Sequence, residues 1–120
     1  MEQPNRFQQL VAEAKKNIRE VSAADAKAEA ERDSAILIDV RETEDWQQAH
    51  AAGAQHLSRG VIELEIEEAI PDLERPIICY CGGGSRSALV AESLQKMGYT
   101  NVRSLAGGFK AWQQVGLPTE

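Results

Sequence analysis

The stretch from Pro76 to Tyr80 is a short apolar run. It is closed by Cys81, Gly82, Gly83 and Gly84, and then by a helical pattern. This order restricts the fold more than any other part of the chain. Five residues rich in Ile and bounded by turn formers read as a buried strand. Glycine admits φ > 0, so successive backbone N–H groups after the strand can turn toward one point. The helix that follows adds the positive end of its dipole. Strand, glycine loop and helix in that order build an anion cradle. A thiol at its mouth is expected to be acidified, and the thiolate is the nucleophilic form of cysteine.

The flanking sequence repeats the alternation of strand and helix. Residues 3–16 place Phe7, Leu10, Val11, Ala14 and Ile18 at helical spacing, so an amphipathic helix with a Phe7, Leu10, Val11 face is expected to dock. A short strand follows around Ile18 to Val21. Ser22 with Asp25 reads as a capping box and opens a helix to about Glu31. Ala35 to Val40 is a strand. Thr43 is expected to cap a short helix carrying Trp46. Ala54 to Leu57 is a strand and Gly60 to Ile70 a helix, stopped at Pro71. A helix over 86–97 ends at Gly98. Val102 to Leu105 is the last strand, and Gly107-Gly108 leads into a helix with Phe109 and Trp112. Strands alternating with helices imply a parallel sheet covered on both faces. Ligands then bind beyond the carboxyl ends of the strands, where Cys81 stands.

With 120 residues, 42% hydrophobic and 27% charged, the chain is one globular domain. A net charge of −6 argues against nucleic acid and against an anionic membrane surface as partners. The acids Glu63, Glu65, Glu67, Glu68, Asp72 and Glu74 read as a solvated helix face. No segment is long and apolar enough for a signal peptide or a membrane span, so a cytoplasmic location is expected. Cys79 and Cys81 are the two cysteines. Their spacing is taken to point them to opposite faces, with Cys79 in the core, so no disulfide joins them. Neither a metal site nor a cofactor is expected.

Four motifs in sequence order resemble the rhodanese-like sulfurtransferases, across about residues 18 to 118. They are Ile38-Asp39-Val40-Arg41-Glu42, Ala49-His50-Ala51-Ala52-Gly53-Ala54, the loop Cys81 to Arg86, and Leu105 to Trp112 with its Gly-Gly-x-x-x-Trp pattern. Ala49 and Ala51-Ala52 depart from the family's usual Gly and Ile-Pro, away from the cysteine. The resemblance implies a five-stranded parallel sheet with helices on both faces, plus the N-terminal helix. It divides the chain into a 1–16 extension and a 17–120 domain. It also implies that Cys81 attacks the outer sulfur of thiosulfate or a persulfide donor, holds a persulfide, and passes it to cyanide, a thiol or an acceptor protein.

On that basis Gly82, Gly83, Gly84 and Ser85 are expected to supply N–H groups to the sulfur. Arg86 either binds substrate or, as favoured here, braces the loop on Asp39 or Glu42. Arg59 attracts an anionic donor or is simply solvated. Asp39 and Arg41 form a structural ion pair, and Ser87 caps helix backbone. His50 and His56 are packing histidines, and Trp46 and Trp112 are core or rim aromatics. Two other functions compete. A cysteine-loop phosphatase or arsenate reductase carries one residue more between Cys and Arg than the four present here. A persulfide carrier or binding module would keep Cys81 but turn over little.

Overall fold

The structure, a computed structural model, describes residues 4–120. The expected helix start at Gln3 therefore lies outside the described residues. The elements in chain order are α1 (Arg6–Lys15), β1 (Arg19–Val21), α2 (Ala23–Arg32), β2 (Ile36–Asp39), α3 (Thr43–Gln48), β3 (Gln55–His56), α4 (Ile62–Ala69), β4 (Ile77–Tyr80), α5 (Ser85–Lys96), β5 (Val102–Leu105) and α6 (Gly108–Gln114). The five strands form one sheet in the order β1-β5-β4-β2-β3, with every pairing parallel.

Local chemistry sets the boundaries. Asn5 and Gln8 cap α1 reciprocally, each side chain accepting from the other's backbone N–H. Ser22 accepts from Asp25 N–H at 3.1 Å and starts α2. Thr43 was expected as the cap of α3 but is its first helical residue. Glu42 holds the cap position without a side-chain bond. Gly98, at φ +107°, lets the chain leave α5 in a left-handed turn.

Side-chain alternation along the strands divides the core in two. Ile38, Val40, Ile77, Cys79 and Val102 face Ile62 and Ile66 of α4 and Val90, Ala91 and Leu94 of α5. Leu37, Ile78, Tyr80 and Leu105 face Ala23 and Ala26 of α2 and Phe109 and Trp112 of α6. Both faces of the sheet are thus covered, which is why β2 and β4 read as continuous apolar runs. Residues two apart on a strand share a face. Cys79 and Cys81 accordingly lie in the same core cluster, and the expectation that they point to opposite faces is corrected. Both are free thiols.

The buried face of α1 also differs from the expected one. Val11 and Ala14 pack on Ala88 and Leu89 of α5, with Ile18 beside them. Phe7 and Leu10 remain 45% and 54% exposed. The contact lies on the α5 side, one layer outside the sheet, and the stripe is rotated toward the small residue that permits close helix approach. Ala14→Glu places a charge in this contact and is expected to lower the melting temperature by about 5 °C or more. Leu10→Glu, on the exposed side, is expected to shift it little, and thermal unfolding of the two variants side by side checks the assignment.

Candidate active site

Cys81 follows directly on β4, and Gly84 supplies the left-handed residue, φ +100°, that starts α5. The chain doubles back so tightly that backbone and side chain donors reach the sulfur. Gly84 N–H lies 3.1 Å from Cys81 Sγ and Ser87 N–H 3.4 Å. Ser87 Oγ lies 3.5 Å from the same atom. Cys81 is 2% exposed. Burial pushes its thiol up, yet the hydrogen bonds from the Ser87 hydroxyl and from Ser87, Gly84 and Gly83 N–H outweigh it, and the thiol lies below its ordinary value. Among the described residues no such donor reaches Cys79 Sγ. Burial first, and the neighbouring Cys81 second, push it up to about 12. Two thiols on one face are therefore set apart in reactivity by their hydrogen bonds.

The outer side of the loop is held by α6. Phe109 N–H donates to Cys81 O at 2.8 Å and Lys110 N–H to Gly82 O at 3.1 Å. In a trans peptide, C=O and N–H point in opposite directions. Fixing these two carbonyls on α6 therefore turns the N–H groups of Gly82 and Gly83 away from α6. Such an approach needs a residue without a side chain. A methyl on Gly108 would come within 2.5 Å of Cys81 O, and Gly108 also sits at φ +58°. The Gly107-Gly108 pair, legible only as part of a motif in the sequence, is thus the seat of the loop.

The expected site residues fall into distinct places. Gly82 is half-buried and Gly83 exposed, forming the rim above the sulfur. Ser85 is half-buried in the first turn of α5. Ser87, expected to cap backbone, instead turns its hydroxyl onto Cys81 Sγ and onto Ser104 Oγ, at 2.8 Å. Arg86 braces on neither Asp39 nor Glu42. The Asp39 carboxylate is taken by Arg41, whose Nη2 lies 2.7 Å from Oδ2 and whose Nε is 3.1 Å from both oxygens. Arg86 is half-buried, and its side chain makes no hydrogen bond or ion pair among the described residues. Arg59 is anchored by its backbone on Val40 O at 3.0 Å, and its side chain likewise has no polar partner among the described residues.

Arg41 also donates to Ala49 O at 2.7 Å and lies 4.4 Å over the Phe109 ring. The Asp39–Arg41 pair thereby ties the end of β2 to α6, the helix that seats the loop. His50 Nδ1 donates to Trp46 O at 2.9 Å and His56 Nε2 to Arg41 O at 2.8 Å. Both rings stack on Trp46. Trp112 is buried and donates to Pro118 O at 2.8 Å. Ser104 is the residue the sequence reading missed. Its signal was a small polar residue on the core face of β5, two positions from Val102.

The family described as a rhodanese-like domain matches residues 22–115. Among curated proteins, the thiosulfate sulfurtransferase GlpE of Actinobacillus succinogenes is 39% identical over 88 residues, 73% of this chain and 78% of the relative. The protein of the same name from Vibrio cholerae is 35% identical over 95 residues, 79% of this chain and 88% of the relative. Among solved structures, the polysulfide-sulfur transferase homodimer of Wolinella succinogenes superposes with a TM-score of 0.81 at 29% identity, covering 95% of this chain and 86% of that one. A protein of unknown function from Rhodopseudomonas palustris, described as a possible tyrosine phosphatase, gives a TM-score of 0.88 at 28% identity, covering 100% of this chain and 99% of that one.

Alkylation of the native protein is expected at Cys81 and not at Cys79. The rate against pH is expected to have a midpoint below that of an ordinary cysteine thiol, because the shift is downward and the thiolate persists to lower pH. Gly108→Ala, by displacing the loop, is expected to move that midpoint up. Peptide mapping and alkylation kinetics read both outcomes, and first modification at Cys79 contradicts the geometry.

Proposed function

The chain belongs to the rhodanese-like domain family, and on that premise we propose that it moves a sulfane sulfur from thiosulfate or a persulfide donor to a thiol or cyanide through a persulfide on Cys81. Its class, sulfurtransferase of the rhodanese type, is that of the curated relatives. The observation that carries the proposed path is the convergence of Gly84 N–H, Ser87 N–H and Ser87 Oγ on a single sulfur atom.

In the first half-reaction the Cys81 thiolate attacks the outer sulfur of thiosulfate. A bond forms between Sγ and that sulfur, the donor's S–S bond breaks, and sulfite leaves with the electron pair. In the second, an acceptor thiolate or cyanide takes the outer sulfur, and the Cys81 thiolate is regenerated. No external oxidant or reductant enters either step. The cradle holds negative charge on Sγ between turnovers. The N–H groups of Gly82 and Gly83, turned from α6, are the proposed donors to the persulfide's outer sulfur. Ser85 N–H, at the start of α5, completes the ring. Arg86 and Arg59, without carboxylate partners among the described residues, supply positive charge for an anionic donor. Asp39, Arg41 and Ser87 support the loop from below. The partners proposed are this small donor, a thiol or cyanide acceptor, and an acceptor protein. The proposed location is the cytoplasm, and no helix among the described residues is long and apolar enough to cross a membrane.

The phosphatase description of the Rhodopseudomonas palustris protein makes hydrolysis of a phosphate ester the reading to test against this one. A tetrahedral oxyanion needs donors spread around several oxygens. Here the donors meet at the sulfur itself, and four residues separate Cys81 from Arg86. A carrier with low turnover would form the persulfide but release it slowly.

Mass spectrometry after incubation with thiosulfate is expected to find one added sulfur on Cys81. Cys81→Ser is expected to abolish both this addition and thiocyanate production from thiosulfate and cyanide, with the fold intact. Aryl phosphate hydrolysis without sulfur loading would overturn the proposal. Loading without thiocyanate production would assign the carrier role.

A further inference from the structure

We propose that Ser104, on β5, is a positioning residue for the Cys81 nucleophile: its hydroxyl donates to Ser87 Oγ and thereby directs the Ser87 proton onto Cys81 Sγ. The inference rests on the proposed role of Cys81 as the nucleophile, but its geometry is independent of that role. Ser104 and Ser87 are both fully buried, so water does not substitute for either partner. Their oxygens are 2.8 Å apart, and Ser87 Oγ is 3.5 Å from Sγ. Ser104 Oγ has no other hydrogen-bond partner among the described residues, and neither hydroxyl is left without one.

The direction of the chain follows from proton counting. A thiolate has no proton and can only accept. Ser87 has one hydroxyl proton, and giving it to Sγ leaves its oxygen to accept. Ser104 must then be the donor to Ser87. When Cys81 is a neutral thiol, the order reverses: S–H donates to Ser87 and Ser87 to Ser104. The two serines thus form a two-position relay that follows the charge on sulfur. Donation from Ser104 polarises the Ser87 hydroxyl, which strengthens the bond to the anion.

Ser104 also removes a competitor. A serine in the first turn of a helix readily turns its hydroxyl back to a carbonyl three or four residues earlier, here Gly84 or Gly83. The short bond to Ser104 holds Ser87 away from that alternative. The placement depends on register. Ser104 pairs with Cys79 across β4–β5, on the sheet face that α5 covers, so its hydroxyl meets the first turn of α5.

The titratable groups on the surrounding elements do not replace this contact. Cys79 lies below the site on β4, and Asp39 and Arg41 at the end of β2 are paired with each other. Glu20, the cross-strand neighbour of Ser104 on β1, is exposed and paired with Lys15 of α1 at 3.6 Å. Arg86 stands in α5, Arg59 follows β3, Lys110 is exposed on α6, and the acids of α4 face solvent. None forms a hydrogen bond with Ser87 Oγ or Ser104 Oγ.

The test is the pH dependence of Cys81 alkylation in the wild type, Ser104→Ala, Ser87→Ala and the double variant, with melting temperatures alongside. Each single substitution is expected to raise the alkylation midpoint by about half a pH unit or more, the scale of a weakened charge-assisted hydrogen bond. The double variant is expected to match Ser87→Ala, because Ser104 acts only through Ser87. A purely structural serine would alter the melting temperature and leave the midpoint in place. An unmoved midpoint in Ser104→Ala, or additive shifts in the double variant, overturns the relay. Alkylation reads the thiol whether or not it carries sulfur. If Cys81→Ser abolishes transfer while Ser104→Ala leaves the midpoint unmoved, the relay fails and the proposed function stands. If the midpoints shift as expected but Cys81→Ser retains transfer, the proposed function fails alone.

Discussion

Two hydrogen bonds from the first turn of α6, to Cys81 O and Gly82 O, decide which way the peptide groups after β4 face. Peptide planarity makes each of these bonds act on both sides of the chain: a carbonyl drawn outward is an N–H turned inward. The loop has few side chains to orient it, and a run of glycines left alone would sample many conformations. Its order is therefore imposed by neighbours. That dependence explains why Gly108 must lack a side chain, why Phe109 packs under Arg41, and why the Asp39–Arg41 pair matters to a sulfur it does not touch. The ion pair holds β2 and α6 together, α6 holds the loop, and the loop holds the donors around the sulfur.

Burying a thiolate is unfavourable by several kcal/mol unless donors compensate. Charge-assisted hydrogen bonds contribute about 1.5–3 kcal/mol each. The hydrogen bonds to Sγ from the Ser87 hydroxyl and from Ser87, Gly84 and Gly83 N–H reverse the effect of burial for Cys81, whereas Cys79, two residues earlier in the same core cluster, is pushed up to about 12. Depth and donors together also limit what can react. A cysteine that is 2% exposed beneath a glycine rim admits a slender group such as a terminal sulfur more readily than a bulky one.

The fold was legible because its signals are local. Val102–Leu105 was read to the residue, and β4 and α5 within one residue at each end, since apolar runs, β-branching and helix-end glycines act over a few positions. The cradle was legible as a type of loop. Its wiring was not. Ser87 was assigned to helix capping because first-turn serines commonly serve there, and only the register of β5 against β4 reveals the hydroxyl waiting opposite. Arg86 was expected to brace on Asp39 or Glu42, because a carboxylate at a strand end attracts a cation. Arg41, two residues from Asp39 in the chain, reached it first, backbone and side chain together. The cysteine orientation was misjudged for a simpler reason: the strand period of two puts Cys79 and Cys81 on one face.

The N-terminal helix extends the same chain of support from the other side. Residues 4–16 lie outside the span that matches the family, yet Val11 and Ala14 pack on Ala88 and Leu89, the two residues directly after Ser87. Helical geometry makes this possible. Ser87 faces the sheet and Ser104, while the next positions turn toward α1. A first helical turn is the part most prone to fraying, because its N–H groups lack intrahelical partners. In α5 one such group, Ser87 N–H, is bonded to the sulfur, and the outer surface of the turn is covered by α1. The end of α5 is thus held by the charge it stabilises on one side and by apolar contact on the other.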